Sequence, residues 1–267
     1  MGKEKKSSGL GAVAVVIVIV ALLAVGTVLF FEMNKANDVP TVEIAKQTQA
    51  TEQQTEEKTN APTATGKCGD NAFYSYDSGE KTVTITGSGA LWDAGDISLD
   101  FWDEFGSSVR TVKILSGITY IGAYSLEGLN MAQEIYIPDT VEVIETQMGG
   151  TALSWSSDLK KIVVDENNKN YSADKNGALY NKDKTQIVQY PLGNDSKAFE
   201  MPQTVKTVGI AAFADCVNLE SVTIRETVEE FGPDAFMGCS EKLIIRCVAE
   251  STAQEYAEEN SIEYELI

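Results

Sequence analysis

Two groups of side chains have the composition of a cation site. Asp93, Asp96, Asp100, Asp103 and Glu104 crowd one stretch, and Asp165, Asn167, Asn168 and Asn170 crowd another. Such oxygens are what calcium takes. The first stretch lacks the central glycine and ligand order of a helix–loop–helix calcium site, and the second fails at the third ligand position. Both therefore read as solvated loops, and no metal is expected. Cys216 and Cys239 are the next reactive pair, at equivalent places in two similar segments. A disulfide is within geometric reach there, but the positions are of an apolar kind, and buried free thiols are the simpler reading. Cys68 and Cys247 fall at opposite ends of the repeating region, so no disulfide framework follows. The 267 residues include no histidine, which removes Ser–His–Asp and Cys–His nucleophile systems and histidine-bound zinc. Gly-x-Ser-x-Gly, a phosphate-cradling loop and Cys-x-x-Cys are absent from the sequence. A net charge of −19 repels phosphate backbones, so nucleic acid is not an expected partner. No cofactor and no enzymatic activity are expected. Carboxylate-based glycan chemistry is the one catalytic alternative the acidic loops leave.

Interaction rather than chemistry is then the expectation, and the elements that would carry it follow from the chain's organisation. Residues 9–31, GLGAVAVVIVIVALLAVGTVLFF, carry no charge. As a helix rising about 1.5 Å per residue they span roughly 35 Å, enough for a hydrocarbon core of about 30 Å. The apolar run passes through the best small-x-small site, Ala24-Val25-Gly26, so it reads as an uncleaved anchor rather than a cleaved signal. Lys3, Lys5 and Lys6 put residues 1–8 in the cytoplasm and everything after the span outside. The expected localisation is the cell membrane, crossed once. Residues 32–67 are rich in Thr, Gln and Glu without an apolar period, which predicts a disordered stalk.

From residue 109 the sequence repeats. Ile114, Ile137, Val164, Met201, Ile224 and Ile245 recur as anchors of short alternating segments, at intervals of 23, 27, 37, 23 and 21 residues. Val112, Ile135, Phe199 and Val222 precede four of the anchors by two positions, and Gly122, Gly209 and Gly232 share one column. Segments such as TVKIL, EIYIP and SVTIR have the period of strands, and the column glycines suit sharp bends. One such unit cannot bury its apolar face, whereas stacked units can, which predicts a solenoid over 109–248. A β-hairpin near 172–192 is expected to project from it, carrying Tyr180 and Tyr190. A shorter insertion around Gly149–Ser157 carries Trp155. Residues 68–108 do not follow the repeat and read as an N-terminal β cap with a hairpin over Asp77-Ser78-Gly79. Residues 249–267 read as a C-terminal cap of helix and strand.

Particular stretches carry a resemblance. CGDNAFYSYDSGEKTVTITGSGALWD, ITYIGAYSLEGL, VDENNKNYSADKNGALYNKDKTQIVQYPLG and VKTVGIAAFADCVNLESVTIRETVEEFGPDAFMGC resemble the BspA-type leucine-rich-repeat family of bacterial surface proteins, over roughly residues 68–267. Leu126 and Gly149 stand where the last two units have Phe213 and Phe236, a departure from the pattern. The resemblance implies a leucine-rich-repeat solenoid, a right-handed superhelix of short parallel strands with short helical turns. It also implies a cell-surface protein that binds something through that solenoid. The expected function is a membrane-anchored extracytoplasmic module for an unidentified protein or glycan. A structural spacer or subunit of a larger envelope complex is the alternative.

Where a ligand would sit follows from the strand period. If each anchor points inward, the residue before it points outward. That column reads Lys113, Tyr136, Val163, Glu200 and Thr223, and the next reads Thr111, Glu134, Lys161, Ala198 and Ser221. Stacking is expected to merge both into one continuous sheet face, with Tyr136 as its aromatic anchor. The hairpin with Tyr180 and Tyr190 is the competing surface.

Overall fold

The computed structural model describes residues 62–93, 102–147, 150–153 and 156–267. The expected cytoplasmic tail, membrane span and most of the stalk lie outside these residues, as do Asp96, Asp100, Gly149 and Trp155. Among the described residues no helix is long and apolar enough to cross a membrane.

The fold begins with an antiparallel trio, β1 (Ala64–Lys67), β2 (Asn71–Asp77) and β3 (Thr82–Ala90). Strand β1 thus starts inside the stretch expected as stalk. It has little apolar side chain to bury and is held by its backbone ladder to β2. Strand β3 then pairs in parallel with β4 (Thr111–Ile114), setting Val83 beside Val112 and Ile85 beside Ile114. Its far end pairs in parallel with β5 (Ile118–Ile121). The repeat therefore begins at β3, inside the segment expected to lie apart from it. No turn separates the two halves of β3, so the unit is hidden in sequence. Gly87, at φ +105°, makes the passage possible, because a Cβ there would stand 2.0 Å from the Asn71 carbonyl oxygen. Tyr74, Tyr76, Trp102 and Phe105 close this end in a cluster with ring centroids 4.5–5.9 Å apart.

The coils continue with β6 (Glu134–Ile137), β7 (Val143–Ile144), the small antiparallel pair β8 (Thr146–Gln147) and β9 (Gly150–Thr151), and β10 (Lys161–Val164). The first sheet runs β1-β2-β3-β4-β6-β10, with β5 and β7 forming the parallel side ladder. Next come β11 (Tyr171–Ala173), β12 (Leu179–Asn181) and β13 (Gln186–Gln189), which open a second sheet continued by β15 (Thr207–Val208) and β17 (Glu230–Phe231). A third sheet stacks β14 (Ala198–Glu200), β16 (Ser221–Ile224), β18 (Ile244–Cys247) and β19 (Glu263–Leu266), all parallel. Helix α1 (Thr252–Glu259), N-capped by the Ser251 hydroxyl, fills the last turn before β19. The result is a β-solenoid of about seven turns.

Three expectations need correction. The 172–192 hairpin does not project. Strand β12 lies between two hydrophobic cores: Leu179 packs into the first, while Ala178 and Tyr180 pack into the second. Tyr180 and Tyr190 are 0 % and 1 % exposed, and Tyr190 stacks on Phe213 at 5.3 Å. Burial on both sides of one strand costs nothing polar here, since the Tyr180 hydroxyl donates to Asp174. The last anchor is Cys247, not Ile245, because Ile224 pairs with Cys247 and Val222 with Ile245. The apparent 21-residue interval is therefore another of 23. Finally, the column glycines, expected for the freedom of a sharp bend, are required by close packing and not by a positive φ. Gly122, Gly209 and Gly232 have no positive φ, and a Cβ on Gly232 would come within 2.5 Å of the Ile210 amide nitrogen.

Charge follows the stacking. Lys160–Asp195, Lys197–Glu220, Lys206–Glu229, Glu200–Arg225 and Arg246–Glu265 pair at 2.6–3.2 Å, each joining consecutive turns. All are solvent-exposed, so each contributes at most about 1 kcal/mol.

Candidate functional site

Inward residues of the first sheet are apolar and buried, with Val83, Ile85, Val112, Ile114, Ile135, Ile137 and Ile162 at 0–3 % exposure. Their alternates must face solvent. Strand register sets Thr84, Lys113, Tyr136 and Val163 side by side as one row, and Thr82, Thr111, Glu134 and Lys161 as the next. Lys113 and Lys161 are exposed, and Thr111, Glu134, Tyr136 and Val163 are partly so. The Tyr136 hydroxyl donates to Glu134 Oε2 at 2.7 Å, which holds the phenol in place and raises its pKa.

The structure brings six of the ten residues in the two expected columns together and separates four. Glu200 and Thr223, with Ala198 and Ser221, lie on β14 and β16 of the third sheet, and β10 has no strand partner there. The face is not continuous across the solenoid. The break arises because the backbone around Gly177 occupies the place beside β10, its carbonyl accepting from Ile162 N at 3.1 Å. The two faces also differ electrostatically. On the third sheet Glu200 is held by Arg225, and Arg246 by Glu265. On the first, Lys113 and Lys161 have no ion-pair partner among the described residues.

The first face extends further than the repeat suggested. Ser75 pairs with Thr84 and Thr65 with Ser75, while Asp77 pairs with Thr82, so both rows run on across β3 and β2 and the first reaches β1. Phe73, 44 % exposed, and Thr86 begin a third row. Pro62, Ser75, Asp77, Glu80, Thr82, Thr84 and Lys113 line an open hollow of about 320 Å³ on this surface. Sequence reasoning passed over these positions. Their signal was the threonine alternation in KTVTITG, which has the same outward period as the later strands.

The other candidate groups take structural parts. Asn168, fully buried, bonds four backbone groups: its Nδ2 donates to the carbonyls of Pro138 and Val141, and its Oδ1 accepts from the amides of Asn170 and Tyr171. Asp165 Oδ1 accepts from the Asn167 backbone and side chain, closing a turn. Among the described residues no group of three or more His, Cys, Asp or Glu could hold a metal ion. All four cysteines are free thiols. Cys239 donates to the Phe213 carbonyl at 3.0 Å and borders a second hollow, of about 170 Å³. Burial pushes its thiol up to about 11 and that of Cys216 well above the ordinary value, so neither is an activated nucleophile.

A model of the BspA type leucine rich repeat region matches residues 104–191 and 188–258, in six copies. No curated protein matches the chain. Among solved structures, a leucine-rich repeat protein from Eubacterium ventriosum is 24% identical, covering 71% of this chain and 67% of its own, with a TM-score of 0.41. A leucine rich cell surface protein from Faecalibacterium prausnitzii is also 24% identical, over 51% of this chain and 42% of its own, with a TM-score of 0.38. The pneumococcal vaccine antigen PcpA is 13% identical, over 78% of this chain and 99% of its own, with a TM-score of 0.33.

Proposed function

We propose that this chain, which belongs to the BspA-type leucine-rich-repeat family, is a non-enzymatic interaction module tethered to the outer side of a bacterial membrane. The binding surface in this reading is the outward face of the first sheet. The observation that carries it is the contrast between the two faces. On the third sheet Glu200 pairs with Arg225 and Arg246 with Glu265, so its cations are neutralised, whereas Lys113 and Lys161 stand near Tyr136 with no ion-pair partner among the described residues. Rigid parallel strands hold these side chains in register, which lowers the ordering cost of binding. The tether is the uncharged span at 9–31, and the lysines before it orient the module outward.

Binding and topology are tested separately. Full-length protein should cosediment saturably with envelope fragments of the producing bacterium, and Lys113→Ala combined with Tyr136→Ala should weaken this by about tenfold. Wild-type cosedimentation by the folded double variant would overturn the face, and non-saturable association would favour a passive spacer. Protease added to intact protoplasts should release a fragment of about 200 residues by cutting within 32–67. A protected C-terminus would overturn the orientation.

A further inference from the structure

We propose that the outward face from Phe73 to Tyr136 binds a linear, uncharged oligosaccharide. This rests on the reading of that face as the binding surface and names its ligand class. Phe73 on β2 and Tyr136 on β6 stand three strands and one row apart, roughly 16 Å at about 4.8 Å per strand and about 3.3 Å per residue. Such rings offer stacking platforms to the apolar C–H faces of sugar rings, and their separation suits several linked rings rather than one. Lys67 Nζ stands 5.7 Å from the Phe73 centroid, a surface contact that a sugar face would displace.

Ser75, Thr84 and Thr86 put hydroxyls on the surface between the two rings, and Thr82 adds another one row beyond. The hollow of about 320 Å³ opens beside this path, over Ser75, Thr82 and Thr84. A hydroxyl both donates and accepts, which is what a row of sugar hydroxyls requires. Threonine is β-branched and stiff, and the Thr82 and Thr86 hydroxyls donate to the Glu80 and Phe73 carbonyls, which fixes their oxygens as acceptors on a rigid sheet. The hollow is at the small end of ligand-site volumes, about 300–1,000 Å³, and is open enough for a chain to run through it.

Charge selects against the alternatives. The chain as a whole carries −19. On this face Lys67, Lys113 and Lys161 balance Asp77, Glu80 and Glu134, so a neutral patch sits in an acidic protein. Sulfated or phosphorylated polymers meet repulsion from the surroundings. A polycation gains little from a neutral patch on a chain whose net charge is −19. A protein partner would be expected to use a compact, desolvated aromatic or arginine cluster. Here the two rings are separated, and no arginine lines the hollow.

The experiment uses calorimetric titration of the full-length protein with cellohexaose, xylohexaose, mannohexaose and chitohexaose, and with a heparin hexasaccharide. At least one neutral oligosaccharide should bind saturably and the heparin fragment should not. Phe73→Ala and Tyr136→Ala should each weaken that binding by about tenfold without lowering the melting temperature, because both side chains lie at the surface. Failure of all four neutral sugars, tighter binding of the heparin fragment, or indifference to both substitutions would overturn the ligand class. If all four sugars fail while the Lys113→Ala, Tyr136→Ala variant still loses envelope binding, the face survives as a site for another ligand. If the variant keeps envelope binding as well, the face itself is refuted.

Discussion

Asn168 commits both amide hydrogens and its carbonyl oxygen to the backbone of a buried bend. Asn168→Ala strands two carbonyls and two amides with no replacement partner. It should cost about 3–5 kcal/mol on chemical denaturation, and a loss below about 1 kcal/mol would mean water takes the amide's place. Asn168→Asp should be nearly as harmful, because a carboxylate cannot donate to the Pro138 and Val141 carbonyls. Ionisable side chains set a second residue-scale expectation. Burial raises Cys68 and Tyr190 to about 12, Cys239 to about 11, and Tyr180 and Cys216 upward. Protons are therefore held more tightly in the folded state. The stability this contributes is fully present below the unfolded values near 9 for Cys and 10 for Tyr, and is lost as pH rises through the folded values. Denaturation midpoints should fall steadily above about pH 9. With no histidine, they should be nearly flat between about pH 6 and 8, and a transition in that range would refute the account.

At the scale of strands and turns, most of the architecture was legible. Alternation exposed the anchor strands, and the spacing of Ile114, Ile137 and Ile224 exposed the stack, because every turn must bury the same column. Strand β5 does not alternate, and β7, β15 and β17 are too short to show a period. The misreadings came where two interpretations share one local pattern. Both Ile245 and Cys247 are inward-facing and buried, and only pairing with β16 decides which is the anchor. Alternation in the 172–192 segment marks strands but cannot say that β12 separates two cores, since inside and outside are properties of the assembled stack. The glycine column was legible as a column and obscure in its cause. That cause gives a prediction. Gly232→Ala pushes a Cβ to 2.5 Å from a backbone nitrogen, whereas Gly122→Ala meets a carbonyl at 3.2 Å. The first should cost about 1–3 kcal/mol and the second clearly less. Equal losses would mean the two turns have the same slack.

Across the whole molecule, apolar side chains gather into two cores that meet at β12. Fully buried Gln189 bridges the junction, accepting from Thr151 and donating to the Tyr190 carbonyl. Stacked arrays propagate stability mainly between neighbours, so damage in one core should be felt there first. Phe213 stacks on Phe236 at 4.7 Å and is fully buried. Phe213→Ala should cost about 3–5 kcal/mol. By hydrogen exchange it should lower protection of β14, β16 and β18 well before that of β2, β3 and β4. Uniform loss would make the solenoid one cooperative unit. The candidate face was half legible for the same reason. Its rows on β4, β6 and β10 follow from the repeat, whereas their ending at β10 and their extension over β1–β3 depend on which strands become neighbours.

The gap between β10 and β14 uncouples the length of this protein from its surface chemistry. Turns anchored at Met201, Ile224 and Cys247 follow one another at equal intervals and pair only with adjacent turns. A duplication or excision of one whole turn there would preserve register on both sides, and it would leave Phe73, Lys113 and Tyr136 where they are. Descendants of such a gene could therefore grow or shrink at the C-terminal half while inheriting the same first-sheet face. In this architecture, copy number is free to drift where the side chains of the proposed recognition surface are not.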